Sequence, residues 1–343
     1  MRSLIASRLR RMLRTPIGWI IVVVVTSAVP IAHAQNCQTS GDLDDATRSA
    51  ITAAAQRYFD MAAKGDAATL RQNAVGNLAA DFSAVETAVR DHQQDLAGAQ
   101  AAVKSVFLLE ADGAVPISHA EFYCGVFGKN GQTSGSAEFF LDNLPPGKYA
   151  VVILDAIAAQ AQARFSVVLQ QVENEWKLAG LFLRPVLVVG HDSDWFAARA
   201  REYKTKGQVH NAWLFYLEAR SLVSPLPFMS TRATDKLYDE FQSLQPADFP
   251  SEGKTADLAA GAATYKLTAL FPAAVGDNLD LIVKYQASDV SDTNQAYQSN
   301  VAVIKVLVAK FPEVRDAFAG VVARAADPSG RDFGTLLAMK DIK

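Results

Sequence analysis

The sequence predicts an α+β protein: N-terminal helices packed on a curved antiparallel sheet, then a helical hairpin, then a C-terminal α+β unit. Three observations predict it. Apolar residues recur at helical spacing between about 42 and 96, and the period changes to two between 103 and 185. Half of the 343 residues are hydrophobic, with 18 Phe, 9 Tyr and 4 Trp, which suits packed cores rather than disorder. Helices followed by a run of strands is the α+β order. The expected organisation is a signal peptide at 1–34, an α+β domain at 35–187, a helical segment at 191–245, a linker at 246–258 and a second α+β domain at 259–343.

The first segment has the form of an export signal. Arg2, Arg8, Arg10, Arg11 and Arg14 precede an apolar run, Ile17 to Val29, then Pro30 and the small-x-small pattern Ala32-His33-Ala34. The run is roughly 13 residues, short of the ~20 that span a bilayer. Cleavage after Ala34 is expected, placing the protein in the periplasm or outside the cell. The alternative is an uncleaved anchor over 17–31. The 33 basic residues include those five arginines, so the mature chain carries 28 basic against 36 acidic residues. A chain of that balance has no electrostatic footprint for nucleic acid.

Cys37 and Cys124 are the only cysteines. In an oxidising compartment they are expected to pair and fasten the start of the mature chain to a sheet. A loop of roughly 87 residues is worth about 4–5 kcal/mol on the chain-entropy model. The alternative is a buried free Cys124 beside an exposed Cys37.

Residues 42–64 read as a helix capped by Asp42, with Asp44 and Asp45 in the first turn. Ile51, Ala54, Ala55, Tyr58, Phe59 and Ala62 form its apolar stripe. Gly65 ends it, and Asp66 caps a short second helix through Arg71. A third helix is expected over about 77–96, with Leu78, Phe82, Val85, Val89 and Leu96 on one side. Six stretches of strand composition follow between 103 and 185, separated by turns at Lys129-Asn130-Gly131, Pro145-Pro146-Gly147 and Glu173-Asn174.

This order, with a helix–glycine–Asp corner near the start and Glu175-Trp176-Lys177 in the last strand, resembles the nuclear-transport-factor-like fold over about 42–185. The resemblance implies a curved sheet wrapped around a long helix to form a cone. Some proteins of that fold are dehydratases, isomerases or cyclases that use Asp, His and Tyr inside the cone. Tyr58, Asp60 and His92 lie on the helices that would line such a cavity. Alternatively, Tyr58 packs with its hydroxyl at the rim while Asp60 and His92 face water, and the corner at Gly65 closes a core.

Residues 194–225 are helical again. Ala200, Tyr203, Gly207, Ala212, Tyr216, Ala219 and Leu222 match the small and large positions of a tetratricopeptide repeat, which this hairpin resembles. Phe196 and Arg199 depart from that pattern. One such hairpin buries too little to stand alone, so it must pack on a neighbour such as the amphipathic helix expected at 231–244. The repeat-like character implies a possible protein partner. In the last domain, strands are expected at "ATYKLTALF", "NLDLIVKYQ", "GVVARAA" and "FGTLLAMKDI", with a helix at "NQAYQSNVAVIKVLVAKF".

The chemistry-bearing residues are sparse. His92, His119, His191 and His210 lie in no metal-protease motif, and no cysteine pair has zinc spacing. His191-Asp192-Ser193-Asp194 reads as a helix cap. "GKNGQTSG" at 128–135 lacks the phosphate-loop order and reads as a hairpin turn. No catalytic residue, metal or cofactor is expected. These observations point to an exported, non-enzymatic binding or assembly protein of the cell envelope. The alternative is a small-molecule-binding protein, or a lyase- or isomerase-type enzyme, using the cone. N-terminal sequencing of the exported protein is expected to begin at Gln35; a sequence starting within 1–16 would establish the retained anchor instead.

Overall fold

The structure is a computed structural model that describes residues 35–129, 131–157, 162–251, 253–261 and 263–343. The expected export signal at 1–34 and the alternative anchor at 17–31 fall outside these residues. The fold is α+β, and no described helix is long and apolar enough to cross a membrane.

Strand β1 (Gln35–Thr39) leads into helix α1 (Asp45–Ala63). Its cap is Asp44, whose carboxylate accepts the Thr47 N–H at 2.8 Å, not Asp42. Asp42 instead turns back on Thr39, accepting from its N–H at 2.9 Å and its hydroxyl at 2.7 Å. Gly65, at φ +70°, ends α1, and a side chain there would meet Gln93 at 2.6 Å. Asp66 accepts from Thr69 N–H at 3.0 Å and starts α2 (Ala67–Gln72). The single helix expected over 77–96 is broken into α3 (Gly76–Ala80), α4 (Ser83–Asp91) and α5 (Gln93–Leu96). The breaks at Asp81 and His92, neither with helical dihedrals, let Phe82 and Leu96 both reach the core.

The main sheet takes β1, β2 (Gln100–Ala111), β7 (Gly147–Ile157), β8 (Gln162–Val172) and β9 (Glu175–Pro185), in the order β1-β2-β7-β8-β9, all antiparallel. A second sheet, β10-β6-β3, is made from β3 (Ile117–Cys124), β6 (Ala137–Leu144) and β10 (Met229–Thr231). Between β3 and β6 the short strands β4 (Phe127–Gly128) and β5 (Gly131–Gln132) pair with each other, so the glycine-rich stretch at 128–135 holds a small hairpin.

Each face of the main sheet has its own core. On one, Val152, Leu154, Phe165, Val167 and Leu169 pack on the helices, with Phe59 edge-on to Phe165 at 5.2 Å. On the other, Phe107, Leu109, Val151 and Ile153 pack on Phe122 and Phe139 of the second sheet. Cys37 on β1 and Cys124 at the end of β3 form the expected disulfide, Cα–Cα 5.0 Å, which ties the two sheets together.

The chain continues through α6 (Ser193–Thr205) and α7 (Val209–Val223), returns to the second sheet as β10, and enters α8 (Arg232–Phe241). The C-terminal sheet has the order β11-β12-β13-β14-β15, from β11 (Ala256–Ala260), β12 (Ala263–Val275), β13 (Asn278–Gln286), β14 (Gly320–Ala326) and β15 (Asp332–Ala338). Only the β13–β14 pair is parallel, and α9 (Thr293–Lys310) is its crossover. The valine-rich α9 is helical because Asp292 caps it and because Val303, Ile304, Leu307 and Val308 are all buried on the sheet. Helices α6, α7 and α8 share one core with this sheet. The stretch expected as a linker, 246–258, is packed chain: Phe249 is buried edge-on to Phe311 at 5.2 Å, and β11 begins at Ala256.

Replacing both cysteines by serine is expected to lower stability by about 2–5 kcal/mol. Denaturant unfolding of the oxidised protein against the double variant measures it; coincident curves would mean the bond adds nothing.

Candidate functional site

The residues expected to line the cone are not brought together. Tyr58 is 3% exposed, and its hydroxyl lies 3.1 Å from the Asn73 carbonyl and 3.0 Å from the Trp176 carbonyl. Burial, first among its influences, pushes this phenol up. Asp60 sits two residues on, about 200° around the helix, and is exposed, where it accepts from Gln56 at 3.0 Å. His92 pairs with Asp95 on the adjoining short helix at 2.9 Å. The cluster at 191–194 is structural: Asp192 caps α6 at Trp195 N–H, 2.9 Å, and the Ser193 hydroxyl donates to the Ala219 carbonyl at 2.8 Å. His191 stacks on Trp195 with ring centroids 3.7 Å apart. Among the described residues no group of three His, Cys, Asp or Glu side chains is placed to hold a metal.

One opening lies on the second face of the main sheet. The small sheet covers the middle of that face, and beside it a groove of about 580 Å³ runs between β2, β7 and β8 on one side and β10 and α8 on the other. Phe107, Ile153, Pro225 and Met229 supply apolar walls. Four cations line it, Lys104, Arg164, Arg232 and Lys236, and no carboxylate does.

Each cation has a structural reason for its place. Lys104 is the extra residue of a bulge where β2 slips against β7, and its ammonium is 3.4 Å from Asp155. Arg164 stands on β8, with Nε also 3.4 Å from Asp155. Its Nη1 reaches the carbonyls of Leu222 and Val223 at 3.5 and 3.4 Å, where the end of α7 carries partial negative charge. One carboxylate therefore serves two cations. Arg184 lies opposite Arg164 in the β8–β9 register, and burial pulls its pKa down. Among the described residues no carboxylate lies within 4.0 Å of Arg184, Arg232 or Lys236.

Arg232 and Lys236 are exposed, one helical turn apart on α8. Thr231 caps that helix in a box with Thr234. Asp235, the only acid of the first turn, is turned away and held by Gln132 Nε2 at 2.8 Å and by the Ser230 hydroxyl. On the opposite wall the Ser136 hydroxyl accepts from Thr133 N–H at 2.7 Å and donates to its carbonyl at 3.0 Å, fixing the loop. The Ser105 and Ser134 hydroxyls have no protein hydrogen bond among the described residues.

A second, smaller slot of about 270 Å³ opens at the other end of the same face. Leu109, Val151, Val168, Phe182 and Phe228 line it, and Tyr149 donates to the Pro145 carbonyl at 2.8 Å on its rim. Comparison of the chain with protein families, with curated proteins and with solved structures gave no match.

Helix α7 also carries a half-buried acid. Glu218, one turn before Leu222 on α7, has no hydrogen-bond or ion-pair partner among the described residues, and burial pushes its carboxyl up to about 7. A raised carboxyl favours folding while it is protonated, so its contribution is intact below about 4.5 and is lost as pH rises through about 7. Glu218→Gln is expected to match the wild type in urea unfolding at pH 4 and to exceed it at pH 8 by on the order of 3 kcal/mol. Equal stability at both pH values would count against a desolvated, unpaired carboxyl.

Proposed function

We propose that this chain is an exported, non-enzymatic binding protein of the cell envelope that holds a small ligand in the groove between α8 and the second face of the main sheet. The observation that carries the reading is the groove itself: about 580 Å³, apolar in its walls, with several cations and no carboxylate converging on it. Its size suits a small-molecule site, and a few polar groups on an apolar surface is the usual lining of one. The Cys37–Cys124 disulfide is compatible with an oxidising compartment and supports export.

The same reading takes the N-terminal part as a nuclear-transport-factor-like cone with an added sheet, and α6–α7 as a single tetratricopeptide-like hairpin. Phe59 against Phe165 supports the first, and Gly207 at φ +76° in the hairpin turn supports the second. The hairpin serves as a scaffold within the chain. Tyr203 donates to the Asp316 carbonyl at 3.0 Å, Asn211 to the Glu313 carbonyl at 2.6 Å, and His210 pairs with Glu313 at 2.6 Å. An enzyme working inside the cone would need Tyr58, Asp60 and His92 to converge, and their side chains are committed elsewhere.

Native mass spectrometry of the exported protein is expected to show a small-molecule adduct that Ala233→Trp, which fills the groove, lacks. An adduct carried equally by both proteins would place the ligand elsewhere and overturn the reading.

A further inference from the structure

The charge around the groove runs against the rest of the molecule. The mature sequence has more acidic than basic residues, 36 against 28, yet the groove gathers four cations and excludes every carboxylate from its lining. Lys104 and Arg164 share Asp155 as their one counter-charge, and among the described residues Arg232 and Lys236 have no carboxylate within 4.0 Å, so the four together leave a net positive charge around one space.

Arg232 is the clearest case. It is the first residue of α8, where the helix macrodipole disfavours positive charge. The one first-turn acid that could compensate, Asp235, is held by Gln132 and Ser230 instead. The N–H groups of Arg232 and Ala233 have no intrahelical acceptor, since they belong to the first turn. Those two donors, the Arg232 and Lys236 side chains, and Lys104 and Arg164 across the groove all favour negative charge in the space between them. Arginine in particular offers the forked donors that match a tetrahedral oxyanion.

Beneath these cations the floor of the groove is apolar, formed by the edges of Phe107, Ile153 and Met229, which are otherwise buried in the core and offer a ligand no hydrogen-bonding group. No aromatic ring stands free as a base-stacking platform among the lining residues, and the mature chain is acidic overall, which separates this site from a nucleic-acid surface.

We propose that the groove binds an anionic amphiphile: a phosphate or sulfate monoester whose charged head meets Arg232, Lys236, Lys104 and Arg164 and whose short apolar body lies on Phe107, Ile153 and Met229. This rests on the groove being the ligand site, and it names the class of ligand.

The test is calorimetric titration of the disulfide-bonded mature chain with n-octyl phosphate below its micelle concentration, with inorganic phosphate and with n-octyl glucoside. Octyl phosphate is expected to bind at least tenfold more tightly than either of the others, and more weakly as salt is raised. Arg232→Gln with Lys236→Gln is expected to weaken it by at least a further tenfold and to flatten the salt dependence. The same pair should leave the melting temperature unchanged or raised, because the substitutions remove misplaced charge from a helix start. Equal binding of octyl glucoside and octyl phosphate, both blocked by Ala233→Trp, would overturn the anionic class while keeping the groove as a ligand site. Binding of neither, or binding that Ala233→Trp leaves untouched, would overturn both. Vesicles separate the two sources of such a head group. Capture by vesicles containing phosphatidic acid, the lipid phosphate monoester, but not by phosphatidylcholine vesicles, lost in the double variant, assigns a lipid phosphate. Binding of octyl phosphate with no capture by either vesicle assigns a free monoester.

Discussion

Strand β7 sends apolar side chains to both sides of the main sheet, so water has to be excluded from two faces at once. Its run from Tyr149 to Leu154 is buried at every position rather than at every second one. Helices α1 to α5 cover the first face. The second face is left to a three-stranded sheet whose third member, β10, is only three residues long. That cover is narrower than the strands beneath it, which are 11 or 12 residues each in β2, β7, β8 and β9. The uncovered ends are where the two openings lie, so the groove follows from the mismatch between a broad apolar face and a small lid.

The same mismatch explains how the two halves of the chain are joined. After the hairpin, the polypeptide returns to the second sheet: Pro225 receives a hydrogen bond from the buried Ser166 at 3.4 Å, and Met229 pairs with Phe139. Arg164 holds the end of α7 from the sheet side. Downstream, α6 to α8 turn their other surfaces to the C-terminal sheet, where Tyr285, Asn300 and Thr335 form a buried polar chain, the tyrosine hydroxyl donating to Asn300 Oδ1 at 2.8 Å. The hairpin is thus enclosed by its own chain on two sides.

The sequence made the local features legible. The stripe from Ile51 to Ala62, the corner at Gly65-Asp66, the pairing of Cys37 with Cys124 and the valine-rich helix all depend on neighbours in sequence or on a single pair of residues. Where two adjacent acids compete for one cap, as Asp42 and Asp44 do, the outcome turns on where Thr39 ends its strand, and no pattern of residue types records that. The break of 77–96 into three helices depends on the core that Phe82 and Leu96 must reach. The packed stretch at 246–258 looked like a linker because its prolines and polar residues hide one anchoring ring, Phe249. The groove was beyond sequence reading altogether. Lys104, Arg164, Arg232 and Lys236 come from a bulge, a strand and a helix brought together by tertiary packing. The one available signal was an uninterrupted apolar run at Val151–Leu154, which implies a second cover over the sheet and hence an edge to that cover.

Strand β10 has a consequence for how the molecule comes apart. It is three residues of the second half hydrogen-bonded into a sheet of the first, and it continues without a spacer into α8, whose buried face belongs to the C-terminal core. Withdrawing either half strips an edge from β6 or a layer from the hairpin. The two halves are therefore coupled through β10 and α8, so that opening either one removes packing from the other.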